Sequence, residues 1–247
     1  MRRSILVAAL LLAAPAAGQT LALPETAPWA SREADGRIAG LGVDIARLIA
    51  EEAGMPEARL VAMPGARVAA ELAAGAADFT LTPRWPGGES AGPFLAETLV
   101  VPFAAFARRG VALARPEDLR GLETVAIMRG IRYGTAAESD PAIRWVEEKD
   151  LEQALRKLAA GRIDAVAGTS VAILAVARRL GLEEALGDRL RLGAGAFWLQ
   201  AGPAAAGTPA AGALAAAIGR LRADGRIDAL VARHAGPDWQ VLPRPGS

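Results

Sequence analysis

Residues 69–82, AAELAAGAADFTLT, and residues 155–170, LRKLAAGRIDAVAGTS, follow one layout. Each reads as a helix, an Ala-Ala-Gly stop, an aspartate (Asp78, Asp164) and a strand ending in Thr or Ser. In the first copy Phe79 and Leu81 alternate with Thr80 and Thr82, the two-residue period of a strand. Upstream, Thr20–Glu25 reads as a strand. Gly42–Gly54 reads as a helix, with Val43, Ala46, Ile49 and Ala50 at helical spacing and Gly54 as its stop, and 58–63 reads as a strand. That succession is βαβαβ, which predicts a mostly parallel sheet flanked by helices.

The second copy has a similar setting. Thr98–Gly110 reads as a long strand, 115–130 as a short helix, a turn and a strand, 171–181 as a helix and 190–202 as a strand. Two further helices follow, split at Asp224-Gly225. Two similar α/β halves predict two lobes. Ligands of such sheets sit beyond the carboxyl ends of the strands.

The 247 residues are 52% hydrophobic, a globular composition. Arg2 and Arg3, the apolar run 4–14 and the small residues 15–18 predict a cleavable secretory leader over 1–19. The apolar run is shorter than the ~20 residues a membrane span needs. The chain has no cysteine, so disulfides, thiolate metal sites and cysteine nucleophiles are excluded. One histidine, His234, cannot build a histidine-rich metal site. With 28 Lys and Arg against 27 Asp and Glu and no basic run, the chain does not have the charge of a nucleic-acid binder.

Six segments in order carry a resemblance: 27–54, 71–84, 92–101, 116–134, 154–170 and 217–234. Among them are ELAAGAADFTLTPR and ALRKLAAGRIDAVAGTS. The set resembles the extracytoplasmic solute-binding proteins of the family-3 type, which serve polar amino-acid uptake. The resemblance implies an α/β, two-lobed periplasmic-binding-protein fold with two hinge strands, near Glu97–Val101 and Leu192–Ala196. Lobe 1 would take 20–100 and 197–247, and lobe 2 would take 101–196.

It also implies a site. Arg84 matches the arginine that clamps a ligand carboxylate, and a guanidinium offers the planar fork for that task. Thr80 and Thr82 are the hydroxyls on the same strand. Trp29 matches a ring that covers the ligand; Trp85, next to Arg84, is either a wall of the cleft or a lobe-surface residue. Gly130, Arg132 and Tyr133 stand in the lobe 2 turn that would meet a carboxylate. Thr169, followed by Ser170, stands where many relatives place an aspartate for the ligand ammonium. A hydroxyl cannot supply the charge a desolvated ammonium needs, so Glu25 is the substitute acid, or the ligand is an organic acid.

The expected function is therefore capture of a small carboxylate-bearing ligand in the periplasm. Delivery to an ABC-type permease would follow, by a monomer with no cofactor and no enzymatic role. The alternatives are a cyclohexadienyl-dehydratase-like enzyme on the same fold, or a ligand sensor for a membrane receptor.

Overall fold

The computed structural model describes residues 18–84, 88–131 and 133–240. In chain order, β1 (Thr20–Pro24), the short pair β2 (Ser31–Arg32) and β3 (Ile38–Ala39), α1 (Leu41–Glu52), β4 (Arg59–Met63), α2 (Gly65–Ala73) and β5 (Phe79–Pro83) form the first half. The long strand β6 (Phe94–Arg108) leads out of it. β7 (Val125–Met128), β8 (Trp145–Glu148), α3 (Leu151–Ala159), β9 (Ala165–Thr169) and α4 (Ser170–Leu180) form the second half. β10 (Leu186–Ala201) returns, and α5 (Pro209–Ala223) and α6 (Arg226–Ala235) follow.

The main sheet has the order β4-β1-β5-β10-β6-β9-β7-β8. Exchanging each strand of the first half for its counterpart in the second reverses this order onto itself, so the halves are related by a pseudo-twofold. β4, β1 and β5 run parallel, as do β9, β7 and β8. β10 and β6 pair antiparallel to each other and extend into both halves. This is the two-lobed α/β architecture with two crossing strands.

The repeated sequence layout has a physical basis. α2 and α3 each end before a glycine in the left-handed region, Gly75 at φ 75° and Gly161 at φ 70°, which an L side chain resists. The aspartate then fastens the first strand of its own lobe. Asp78 accepts a hydrogen bond from the Thr20 amide (2.7 Å) and donates its own amide to Thr20 O (3.0 Å). Asp164 accepts from the amides of Thr124 (3.1 Å) and Glu123 (2.9 Å) and donates its amide to Thr124 O (3.2 Å). Arg108 adds an ion pair to Asp164 at 3.3 Å, for which Asp78 has no counterpart among the described residues.

The largest apolar cluster is continuous across both lobes, from Leu21, Leu23 and Ile49 through Leu99 and Val101 to Val166 and Ile173. α6 packs on both α1 and α4, and so touches both lobes. The Ser170 hydroxyl, fully buried, donates to Trp239 O at 2.9 Å just beyond α6.

Some expectations shift. β6 begins at Phe94 and β10 at Leu186, each earlier than its apolar run suggests, because each pairs along the other for most of its length. β8, WVEE, is a strand that no apolar alternation marks in the sequence. Its Glu148 is buried, and Lys157 donates to both carboxylate oxygens at 2.7 and 2.8 Å. Lys157→Met should leave that carboxylate unpaired and destabilise by about 2–3 kcal/mol in chemical unfolding, while Glu148→Gln with Lys157→Met recovers part of the loss.

Candidate functional site

A cavity of about 840 Å³ opens where β6 and β10 cross. It is lined from both lobes at the carboxyl ends of the strands. Glu25 follows β1, Leu81 and Pro83 end β5, Arg129 follows β7, Lys149 follows β8, and Thr169 ends β9. Two aromatic stacks form walls. Trp29 lies against Phe197 with ring centroids 4.2 Å apart, and Tyr133 stacks on Phe103 at 3.8 Å. Helices α1 and α4 add Ile45, Ala172 and Val176. The interior is thus largely apolar, with charge carried by a few side chains at strand ends and at the start of α3, and by Arg179 in the last turn of α4.

Of the residues singled out in the sequence, Glu25, Trp29, Tyr133 and Thr169 come together on this wall. Arg84, Thr80 and Thr82 do not line it, for a reason of parity. Side chains alternate across a strand, and Leu81 and Pro83 face the cavity, so positions 80, 82 and 84 face away. Thr80 and Thr82 are 1% and 4% exposed. The Arg84 guanidinium lies over Phe94 (5.4 Å) and Trp198 (5.1 Å) and meets Glu89 at 3.4 Å. Its cation is occupied by rings and an acid on the other face of the sheet.

Ser170 is spent on the Trp239 carbonyl and is not in the cleft. Gly130 turns the chain after Arg129 and does not line the cavity. Arg132 and Trp85 lie outside the described residues. The lobe 2 turn also holds an acid of its own. Glu138 accepts from the backbone amides of Tyr133 (3.0 Å) and Thr135 (3.2 Å) and from the Thr135 hydroxyl (3.1 Å). Donors expected to greet a ligand carboxylate are therefore already satisfied by a side chain.

Several lining residues escaped the sequence reading. Thr98 on β6 is 2% exposed, and its hydroxyl has no hydrogen-bond partner among the described residues. Arg129 and Lys149 each stand one residue past a parallel strand, the position Glu25 occupies in lobe 1. Phe197 lies in the stretch read as the returning strand. The pseudo-twofold is the signal that finds Arg129, since Thr20 to Glu25 and Thr124 to Arg129 are equal steps along equivalent strands.

Burial pushes the Tyr133 hydroxyl up to about 12, with the Glu138 carboxylate acting in the same direction and a hydrogen bond from the Thr169 backbone opposing both. A raised value favours the neutral phenol in the fold. That contribution is complete below the ordinary value of 10.0 and is lost as pH rises towards 12. Tyr133 is the only tyrosine, so a single tyrosinate absorbance titration should show a midpoint near 12 in folded protein and near 10.0 after denaturation.

Among the described residues, no helix is long and apolar enough to cross a membrane, and no cluster of His, Cys, Asp or Glu is suited to a metal ion. No family profile and no curated protein sequence matches the chain. Solved structures do. An ancestral cationic amino acid solute-binding protein superposes with a TM-score of 0.73 at 16% identity, over 88% of this chain and 95% of that one. A histidine kinase sensor domain with similarity to periplasmic binding proteins gives 0.64 at 22% identity, over 89% and 96%. The substrate-binding protein of an amino acid ABC transporter gives 0.63 at 17% identity, over 87% and 98%. At these identities the likeness establishes a shared two-lobed fold.

Proposed function

We propose that the protein is an extracytoplasmic solute-binding protein that captures a small carboxylate-bearing molecule between its lobes and closes on it. The observation that carries this reading is the 840 Å³ cavity lined from both lobes at the crossing of β6 and β10. A pocket with apolar walls and a few placed polar groups is the usual form of a small-molecule site, and lobes joined by two strands close by hinge motion around a ligand. The lobes divide near residues 100 and 196. Residues 1–19 are the export leader, the mature chain works as a periplasmic monomer, and an ABC-type permease receives the ligand. The carboxylate meets the cations of lobe 2, Arg129 and Lys149, with Trp29, Tyr133 and the Thr98 hydroxyl around the body of the molecule.

Native mass spectrometry of protein purified without denaturation is expected to show a retained small molecule. Adding that molecule to stripped protein should raise Tm in a concentration-dependent way and without turnover. Turnover would favour the dehydratase-like alternative, and the absence of any ligand-dependent shift would remove the binding reading. Arg84→Ala is expected to leave affinity within about twofold, since its contact is an exposed pair on the far face of β5. A complete loss of binding would return Arg84 to the role its sequence context implies.

A further inference from the structure

Glu25 and Arg129 are structural equivalents of opposite charge. Glu25 is the first residue past β1, and its amide donates to Met63 O at the end of β4 (2.8 Å). Arg129 is the first residue past β7, and its amide donates to Glu148 O at the end of β8 (2.9 Å). Both line the cavity, one from each lobe, and Lys149 beyond β8 adds a second cation on the side of Arg129.

The other charged lining residues are committed elsewhere. Asp150 caps α3 by accepting from the Gln153 amide (2.8 Å), and Glu152 holds Arg156 (2.9 Å) and Arg179 (3.0 Å). Glu25 and Lys149 have no side-chain partner among the described residues. Arg129 meets Glu147 at 3.7 Å, with both side chains well exposed, the kind of contact that water weakens. What remains free to face a ligand is an acid on the lobe 1 wall and cations on the lobe 2 wall, with apolar and aromatic surface between them.

We propose that the cleft takes a dipolar ligand in one orientation, its cationic group on Glu25 of lobe 1 and its anionic group on Arg129 and Lys149 of lobe 2. This polarity keeps Glu25 as the acid that replaces the missing aspartate at Thr169, and it moves the main anion contact from Arg84 of lobe 1 to Arg129 and Lys149 of lobe 2. The inference rests on the ligand-binding reading above. A purely anionic ligand would bring its charge towards Glu25 uncompensated, and a purely cationic one would face Arg129 and Lys149. Closure of the lobes, by excluding water from these exposed groups, would strengthen both penalties.

The test is calorimetry on stripped protein with the standard L-amino acids, each compared with its deaminated 2-oxo acid and its decarboxylated amine. At least one amino acid is expected to bind, with both of its analogues about tenfold or more weaker, as befits lost charge-assisted hydrogen bonds. Glu25→Gln should abolish the preference for that amino acid over its 2-oxo acid while keeping its preference over the amine. Arg129→Gln with Lys149→Gln should do the opposite. These side chains are exposed, so each variant should keep the wild-type Tm without ligand. Tight binding whose preferences survive both changes, or fail only in Arg84→Ala, overturns the polarity and leaves the binding reading standing. A wild-type protein that neither retains a ligand nor binds any member of the panel overturns both.

Discussion

Asp164→Ala is expected to lower the unfolding free energy by about 3–4 kcal/mol, and Asp78→Ala by only about 1 kcal/mol. The two aspartates hold equivalent positions, but they carry different loads. Asp78 accepts one amide at the start of β1. Asp164 accepts two amides and the Thr124 hydroxyl at the start of β7 and also pairs with Arg108 on β6, so its loss removes the acceptor of four donors. The effect should depend on pH. Burial pushes the Asp164 carboxyl up, but the Thr124 amide, the Arg108 guanidinium and the Glu123 amide outweigh it and hold the carboxyl below its ordinary value. A depressed carboxylate stabilises the fold above its unfolded value, near 3.9, and that stability is lost as pH falls through the lower folded value. Guanidinium unfolding at neutral pH and below about pH 4 checks this. The difference between wild type and Asp164→Asn should be large at neutral pH and should shrink on acidification. A gap of constant size would mean that the carboxylate charge is not what fastens the strand.

Trp29→Ala should weaken ligand binding by about 30- to 100-fold, roughly 2–3 kcal/mol, the cost of removing a large aromatic anchor from a desolvated wall. Its ring stacks on Phe197 of β10, so it joins the β1–α1 segment to a crossing strand as well as walling the cavity. The loop is held closely. The Trp29 carbonyl accepts from the Val43 amide at 3.2 Å, and a Cβ added to Gly42 would lie 2.8 Å from the same oxygen. The backbone therefore fixes where the indole sits. Trp29→Phe should recover most of the affinity, because a smaller ring can still meet both Phe197 and the ligand. Calorimetry with the co-purified molecule measures both, and a Tm within a few degrees of wild type would separate lost contact from lost fold.

The fold was legible because its signals are local and repeated. Helical spacing over 42–54, alternation at Phe79 and Leu81, and the Ala-Ala-Gly-to-Asp passage in both halves each act within a dozen residues. The site was legible only in part, because it depends on choices that a local pattern does not make. The parity of β5 decides between Leu81 and Arg84 as the residue facing the cleft, and packing settles that parity. Ser170 looks like a strand-end hydroxyl, yet it is claimed by a carbonyl 69 positions away. Glu148 in β8 breaks an apolar pattern and is tolerated because Lys157, on the helix that follows, neutralises it. Glu25, Trp29, Tyr133 and Thr169, which the resemblance picks out, line the cavity because each stands at a strand end or in the loop that follows one.

The C-terminal segment gives the molecule an internal optical gauge. α6 rests on α1 from one lobe and α4 from the other, and Trp239, 3% exposed, is fastened to the first residue of α4 through its carbonyl. Any change in the angle between the lobes has to be absorbed along this seam, by α6 sliding over one neighbour while it travels with the other. The Trp239 indole would then change surroundings without touching the ligand. With the other four tryptophans replaced by phenylalanine, its emission would report jaw angle from outside the cleft, and a chain keeping only Trp29 would report occupancy from within it.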